Sequence, residues 1–212
     1  MRHSFIQISG YLLGLLLILS STVTRAQEAP LSVVANATNG VITELVKTKP
    51  EQRDQAMIEK LVEAYILPAI DQQKIAMGAL GKYWRRATPE EQQRFITVFR
   101  DRQLRTYGGA FKAFSGETLT YSDNIRYSPD GGRAIVSGEF KQTSGTKVPV
   151  DFKLYKTKQG KWLVYDAVIS GLSIVTTYRT QLNDKLQNMS IAELLTELEE
   201  APVEPVEPIA RN

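Results

Sequence analysis

The chain has 212 residues, 26 basic and 23 acidic, with one histidine and no cysteine. The missing cysteine excludes disulfide stapling and thiolate chemistry. The lone histidine, His3, falls in a leader, so Ser-His-Asp and Cys-His catalysis and the usual zinc or copper sites are excluded from the rest.

That leader is a basic start, Met1-Arg2-His3, then a mostly apolar stretch over residues 5–19 and small residues at Thr24 and Ala26. The pattern predicts a secretory signal over residues 1–26, cleaved after Ala26. Its unbroken apolar run, Tyr11 to Leu19, is too short to cross roughly 30 Å of hydrocarbon. Cleavage removes Arg2 and Arg25, leaving 24 basic against 23 acidic residues and a net charge of +1. A nucleic-acid binder would carry a clear basic excess.

Beyond the leader, Pro30 opens an apolar stripe through Val33, Ala37, Val41 and Leu45, which predicts a first helix. A second is predicted over 54–66, ending before Pro68, and a short third over 71–77, before Gly78 and Gly81. Thr88-Pro89-Glu90-Glu91 is a strong start signal: Thr88 as cap, Pro89 in the first turn, Glu91 reaching back. The long helix after it is predicted to end near Gly108-Gly109.

The period then changes. Four strands are predicted at 118–127, 133–142, 147–156 and 161–169, joined by short turn-rich gaps that favour antiparallel hairpins. In the third, Val148, Val150, Phe152 and Leu154 share one face, with Lys147, Asp151 and Lys153 on the other. After Asp166 no charge appears until Arg179, and Leu172, Val175, Tyr178, Leu182 and Leu186 step along one helical stripe. A last helix is capped at Ser190, with Glu193 completing the box. Residues 201–212 carry Pro202, Pro205 and Pro208 and predict a polyproline-like tail outside the folded unit of residues 27–200.

No glycine-rich phosphate loop is present. Tyr165 and Asp166 invite an acid–base reading, but strand alternation puts their side chains on opposite faces, making them a poor catalytic pair. Lys82, Arg85 and Arg86 around Tyr83 and Trp84 form a basic-aromatic cluster, either a solvated helix edge or the mouth of a pocket.

Five stretches in order carry a resemblance: Gly81 to Phe95 (GKYWRRATPEEQQRF), Arg105-Thr106-Tyr107, Val148-Pro149-Val150, Trp162 to Asp166 (WLVYD), and Gly171 to Arg179 (GLSIVTTYR). Together they resemble the MlaC family, also called toluene-tolerance proteins, over about residues 30–200. The resemblance implies an α+β fold in which helices cover one face of a twisted antiparallel sheet of about four strands and enclose an apolar pocket. It implies a periplasmic, non-enzymatic phospholipid carrier without cofactor or metal, monomeric and indifferent to nucleic acid. Its expected partners are an inner-membrane ABC transporter with its substrate-binding ring and an outer-membrane lipoprotein–porin assembly. The expected role is to maintain outer-membrane lipid asymmetry. Expected lining residues are Phe152, Leu154, Val164, Val168, Leu172, Val175 and Tyr178. Tyr83, Trp84, Arg85, Arg105 and Arg179 are the candidates for a mouth, headgroup or partner contact. A carrier of another amphiphile (a hopanoid or isoprenoid) and a small α+β cone enzyme with an apolar substrate are the alternative readings.

Overall fold

A computed structural model describes residues 28–202. The predicted signal peptide and the tail beyond Pro202 lie outside the described residues. Helix α1 (Pro30–Lys47) presents Val33, Val34, Ala37, Val41 and Leu45 along one buried side. Proline in its first turn costs nothing, because that turn's N–H groups have no partner inside the helix.

The second predicted helix is heterogeneous. Helix α2 (Gln55–Leu61) starts at Asp54, whose carboxylate accepts from the Met57 N–H at 2.8 Å. The chain then widens into a π turn over Val62–Ile66 and tightens to a 3₁₀ turn over Leu67–Ala69. Pro68 accounts for the change, having no N–H to give the Ala64 carbonyl four residues back. Helix α3 spans Gln72–Leu80, and Gly81 after it takes a φ of 58°. Helix α4 (Pro89–Lys112) has the complete Thr88–Glu91 capping box and runs through Gly108-Gly109 to Lys112. Gly108 is buried in the helix interior, so packing overrides a local helix penalty of about 1 kcal/mol.

The sheet has six antiparallel strands where about four were expected: β1 (Thr118–Tyr121), β2 (Arg126–Tyr127), β3 (Arg133–Lys141), β4 (Lys147–Lys156), β5 (Trp162–Ile169) and β6 (Leu172–Ser173). Its order is β1-β3-β4-β5-β6, with β2 also pairing with β3. The first predicted strand is therefore two short ones, broken where Ser122 Oγ accepts from the Asn124 N–H at 3.2 Å. Strand β6 arises from a two-residue turn, Ser170 (φ 49°) and Gly171 (φ 83°), both in the positive-φ conformation such hairpins require. Part of β5's outer edge is covered by Ile70, which bridges Val164, while the Asp71 N–H donates to the Val164 carbonyl at 2.9 Å.

A bulge in β5 decides which of its residues face the helices. Lys153 pairs with Asp166, but the next β4 residue, Leu154, pairs with Val164, so Tyr165 is an extra residue. The inward-facing parity shifts by one beyond it.

Helix α5 (Ile174–Lys185) begins at Ser173, and α6 (Ile191–Glu200) carries the Ser190–Glu193 capping box. The core forms three clusters. Phe95, Phe99, Leu80, Leu182, Leu194 and Leu195 belong to one joining α3, α4, α5 and α6. Val33, Val34, Val136, Leu154 and Val164 belong to a second, between α1 and the sheet. A third joins Val41, Leu45 and Leu61, with Phe111 and Phe114 packed against it. The helical layer and the sheet meet across α1, and the space between them holds the site.

Candidate functional site

Two apolar cavities adjoin there. The first, 240 Å³, is bounded by α1, the Ile66–Ile70 segment, α3, α4, α5 and strands β4 and β5. Eleven of its fifteen lining residues are apolar, Phe152, Val164, Ile174 and Val175 among them. The second, 290 Å³, lies further along α1 and is closed by the C-terminal end of α4 and the start of the sheet, with Phe111, Phe114, Leu119 and Phe140 in its wall. Thr38 and Ile66 line both, forming a sill between the two spaces. The Thr38 hydroxyl donates to the Val34 carbonyl at 2.9 Å and bonds the Tyr121 hydroxyl, which fastens α1 to β1 at this point. Each volume is near or below the low end of the roughly 300–1,000 Å³ typical of small-molecule pockets.

The wall is built by local rules. Every third or fourth residue of α1 faces inward, and Ala37 keeps that face low. Gly78 on α3 lets α5 approach closely, since a Cβ there would stand 2.7 Å from Val175 Cγ1. Asp166, 6% exposed, holds the start of α5 in place. It accepts from Lys153 Nζ at 2.9 Å, Ser173 Oγ at 2.7 Å and the Val175 N–H at 3.2 Å. This carboxylate is thus committed to structure on three sides.

Of the seven residues expected to line a pocket, Phe152, Val164 and Val175 stand in the first cavity. Leu154 is fully buried in the cluster beneath α1. Val168 pairs with Asp151 on the other side of the sheet, because the Tyr165 bulge gives its inward place to Ala167. Leu172 lies in β6 rather than in the helix and is 70% exposed. Tyr178 stands one layer back, edge-on to Phe99 at 4.9 Å, its hydroxyl 3.5 Å from that of Tyr107, which does line the cavity. Burial, then the Tyr107 hydroxyl, pushes the Tyr178 phenol well above its ordinary range, so it keeps its proton.

None of the five expected mouth residues lines either cavity. Tyr83 and Trp84 are buried in the helical core, with Lys82 and Arg86 standing 5.1 and 5.3 Å from the Tyr83 ring centroid. Arg85 is exposed. Arg105 donates to the Leu198 carbonyl at 3.1 Å and lines a separate, polar surface cleft. Arg179 Nε donates to the Gly78 carbonyl at 2.6 Å, its stem packed over Gly81. Tyr165 lies 6.2 Å from the Tyr155 ring and shares no partner with Asp166. The Tyr155 hydroxyl bonds Asp71, and burial followed by that carboxylate pushes its pKa up to about 12. Among the described residues, no group of three or more His, Cys, Asp or Glu is placed to hold a metal ion.

Sequence reasoning missed Thr38, Ile66, Gln103, Tyr107 and the whole second cavity. The signal for part of it was present: Phe111 and Phe114 continue an apolar series past Gly109, but the two glycines there read as a helix end.

Fold and cavities together define a class: an α+β protein whose helical layer and sheet are held apart by an apolar interior. The chain belongs to the MlaC family, whose model matches residues 35–200. It is 28% identical over 179 residues to the toluene tolerance protein ttg2D of Pseudomonas putida, covering 82% of this chain and 81% of that one. It is 20% identical over 183 residues to the intermembrane phospholipid transport system binding protein MlaC of Haemophilus influenzae, covering 85% and 86%. Its fold matches a phospholipid-binding protein from Ralstonia solanacearum, solved in complex with a phospholipid, at a TM-score of 0.72 and 30% identity. That match covers 80% of this chain and 94% of the other.

Proposed function

We propose that this protein carries a glycerophospholipid through the periplasm, its acyl chains in the two adjoining cavities and its headgroup near solvent. The observation that carries the reading is the pair of apolar spaces meeting at Thr38 and Ile66. Two small chambers suit two tails better than one bulky rigid ligand. The named relatives support the reading, since one is a phospholipid transport binding protein and another holds a phospholipid.

The physical task explains the build. Two ordinary tails carry roughly 30 methylenes, so exposing them to water costs on the order of 20 kcal/mol at about 0.8 kcal/mol each. Enclosing them lowers that barrier with no bond made or broken. Among the described residues no helix is long and apolar enough to cross a membrane. The cargo passes between an outer-membrane lipoprotein–porin assembly and an inner-membrane ABC transporter with its substrate-binding ring. Retrograde passage would maintain outer-membrane lipid asymmetry, with the carrier acting as a monomer.

The test is uptake. Delipidated protein is mixed with vesicles of phosphatidylethanolamine and phosphatidylglycerol, the vesicles are pelleted, and lipid in the supernatant is counted. Near-stoichiometric soluble phospholipid is expected; protein that stays empty contradicts the proposal.

A further inference from the structure

Four of the fifteen residues around the first cavity are polar: Thr38, Gln103, Tyr107 and Asp166. Two are committed. Thr38 bonds Val34 and Tyr121, and Asp166 accepts from Lys153, Ser173 and the Val175 N–H. Gln103 and Tyr107 are different. Gln103 lines the cavity, is half-buried and makes no hydrogen bond to another described residue. Tyr107 has one polar contact, in which Tyr178 is the donor at 3.5 Å, a distance too long for a strong bond. The proton of the Tyr107 hydroxyl is therefore free to be given elsewhere.

The two residues are four apart on α4 and so stand one above the other on the same helix face. Their β-carbons lie about 5–6 Å apart in such a pair. Two donors at that spacing, in a wall whose other polar groups, Thr38 and Asp166, are already paired, suit two acceptors a few ångströms apart on a ligand that is mostly hydrocarbon.

We propose that Gln103 and Tyr107 are positioning residues that donate hydrogen bonds to the two ester carbonyls of a diacylglycerol-based lipid. The inference rests on the carrier reading and adds a specificity to it: ester-linked over ether-linked chains. The pair fixes the depth of the ligand, because the carbonyls stop at α4 while the tails continue into apolar space. Glutamine supplies its amide N–H and tyrosine its O–H, and no proton is transferred.

The test compares a diacyl lipid with its dialkyl ether analogue of the same headgroup and chain length, which lacks both carbonyls. Wild type, Gln103→Leu, Tyr107→Phe and the double variant are titrated with each, and thermal melts confirm folding. The double variant is expected to bind the diacyl lipid on the order of tenfold more weakly, with binding of the ether lipid unchanged. Tyr107→Phe removes one oxygen and keeps the ring, so it reads the same contrast alone if Gln103→Leu fails to fold. Equal losses for both lipids would assign these residues to packing and overturn the proposal, as would no loss for either. Wild-type protein that binds neither lipid would instead overturn the carrier reading, and this one with it.

Discussion

Val175 is 8% exposed, lies against Gly78 and lines the first cavity close to the Asp166 carboxylate that receives its N–H. Val175→Glu would bring a second carboxylate into an apolar wall beside the first. Burying that charge is expensive. Lipid uptake is expected to fall more than tenfold while the melt stays cooperative; full uptake by the folded variant would remove Val175 from the binding wall. Leu172 makes the opposite case. Because Leu172 is 70% exposed in β6, Leu172→Asp should shift stability by no more than about 0.5 kcal/mol and leave uptake unchanged. Asp166→Asn weakens the tie to Lys153, a side chain 31% exposed, so the loss is that of a partly screened pair, about 1–2 kcal/mol. Its effect should be read in a denaturant melt, and a turnover defect on any substrate would reopen the enzyme reading.

At the scale of elements, the ends of helices carry much of the burden. Arg53 is 7% exposed and binds four carbonyls: Thr48 at 3.1 Å, Leu45 at 2.9 Å, Lys112 at 3.3 Å and Phe114 at 2.6 Å. It closes the C-terminal ends of α1 and α4 together, beside the second cavity, where unpaired carbonyls favour a cation. Arg53→Leu strands those carbonyls and should cost about 2–4 kcal/mol by urea unfolding; a loss below about 0.5 kcal/mol would mean that water replaces the guanidinium. Legibility also divides at this scale. Capped helix starts such as Thr88–Glu91 and Ser190–Glu193 were readable because their partners are three residues away. The β5 bulge was not, because its extra residue is defined by pairing with β4, and it alone moved Val168 off the inner face. Leu172 fits a helical stripe by spacing, yet the Ser170–Gly171 turn places it in a strand. Gly108-Gly109 suggested a stop, and the burial of Gly108 carried α4 past it.

For the whole molecule, the order of helical and strand segments came from their periods and the layered α+β arrangement from the family resemblance, but the extent of the interior came from neither. Leu154 in solid core and Phe152 at the cavity wall differ only in how far the helical layer stands off the sheet, a property of no single segment. The same stand-off predicts how the carrier responds to pH. Residues 28–202 contain no histidine, so no side chain with an ordinary midpoint near neutrality lines the cavities. Phospholipid uptake should be flat between about pH 6 and 8, and a steep change across that range would point to a coupled carboxylate or amine. The central claim, that the apolar interior is a seat for lipid rather than loosely filled core, is tested most directly by native mass spectrometry of the protein purified from cells without detergent. The account predicts an added mass that extracts into organic solvent as glycerophospholipid and is lost in Val175→Glu. Protein found only at its bare polypeptide mass, both as purified and after exposure to vesicles, would contradict it.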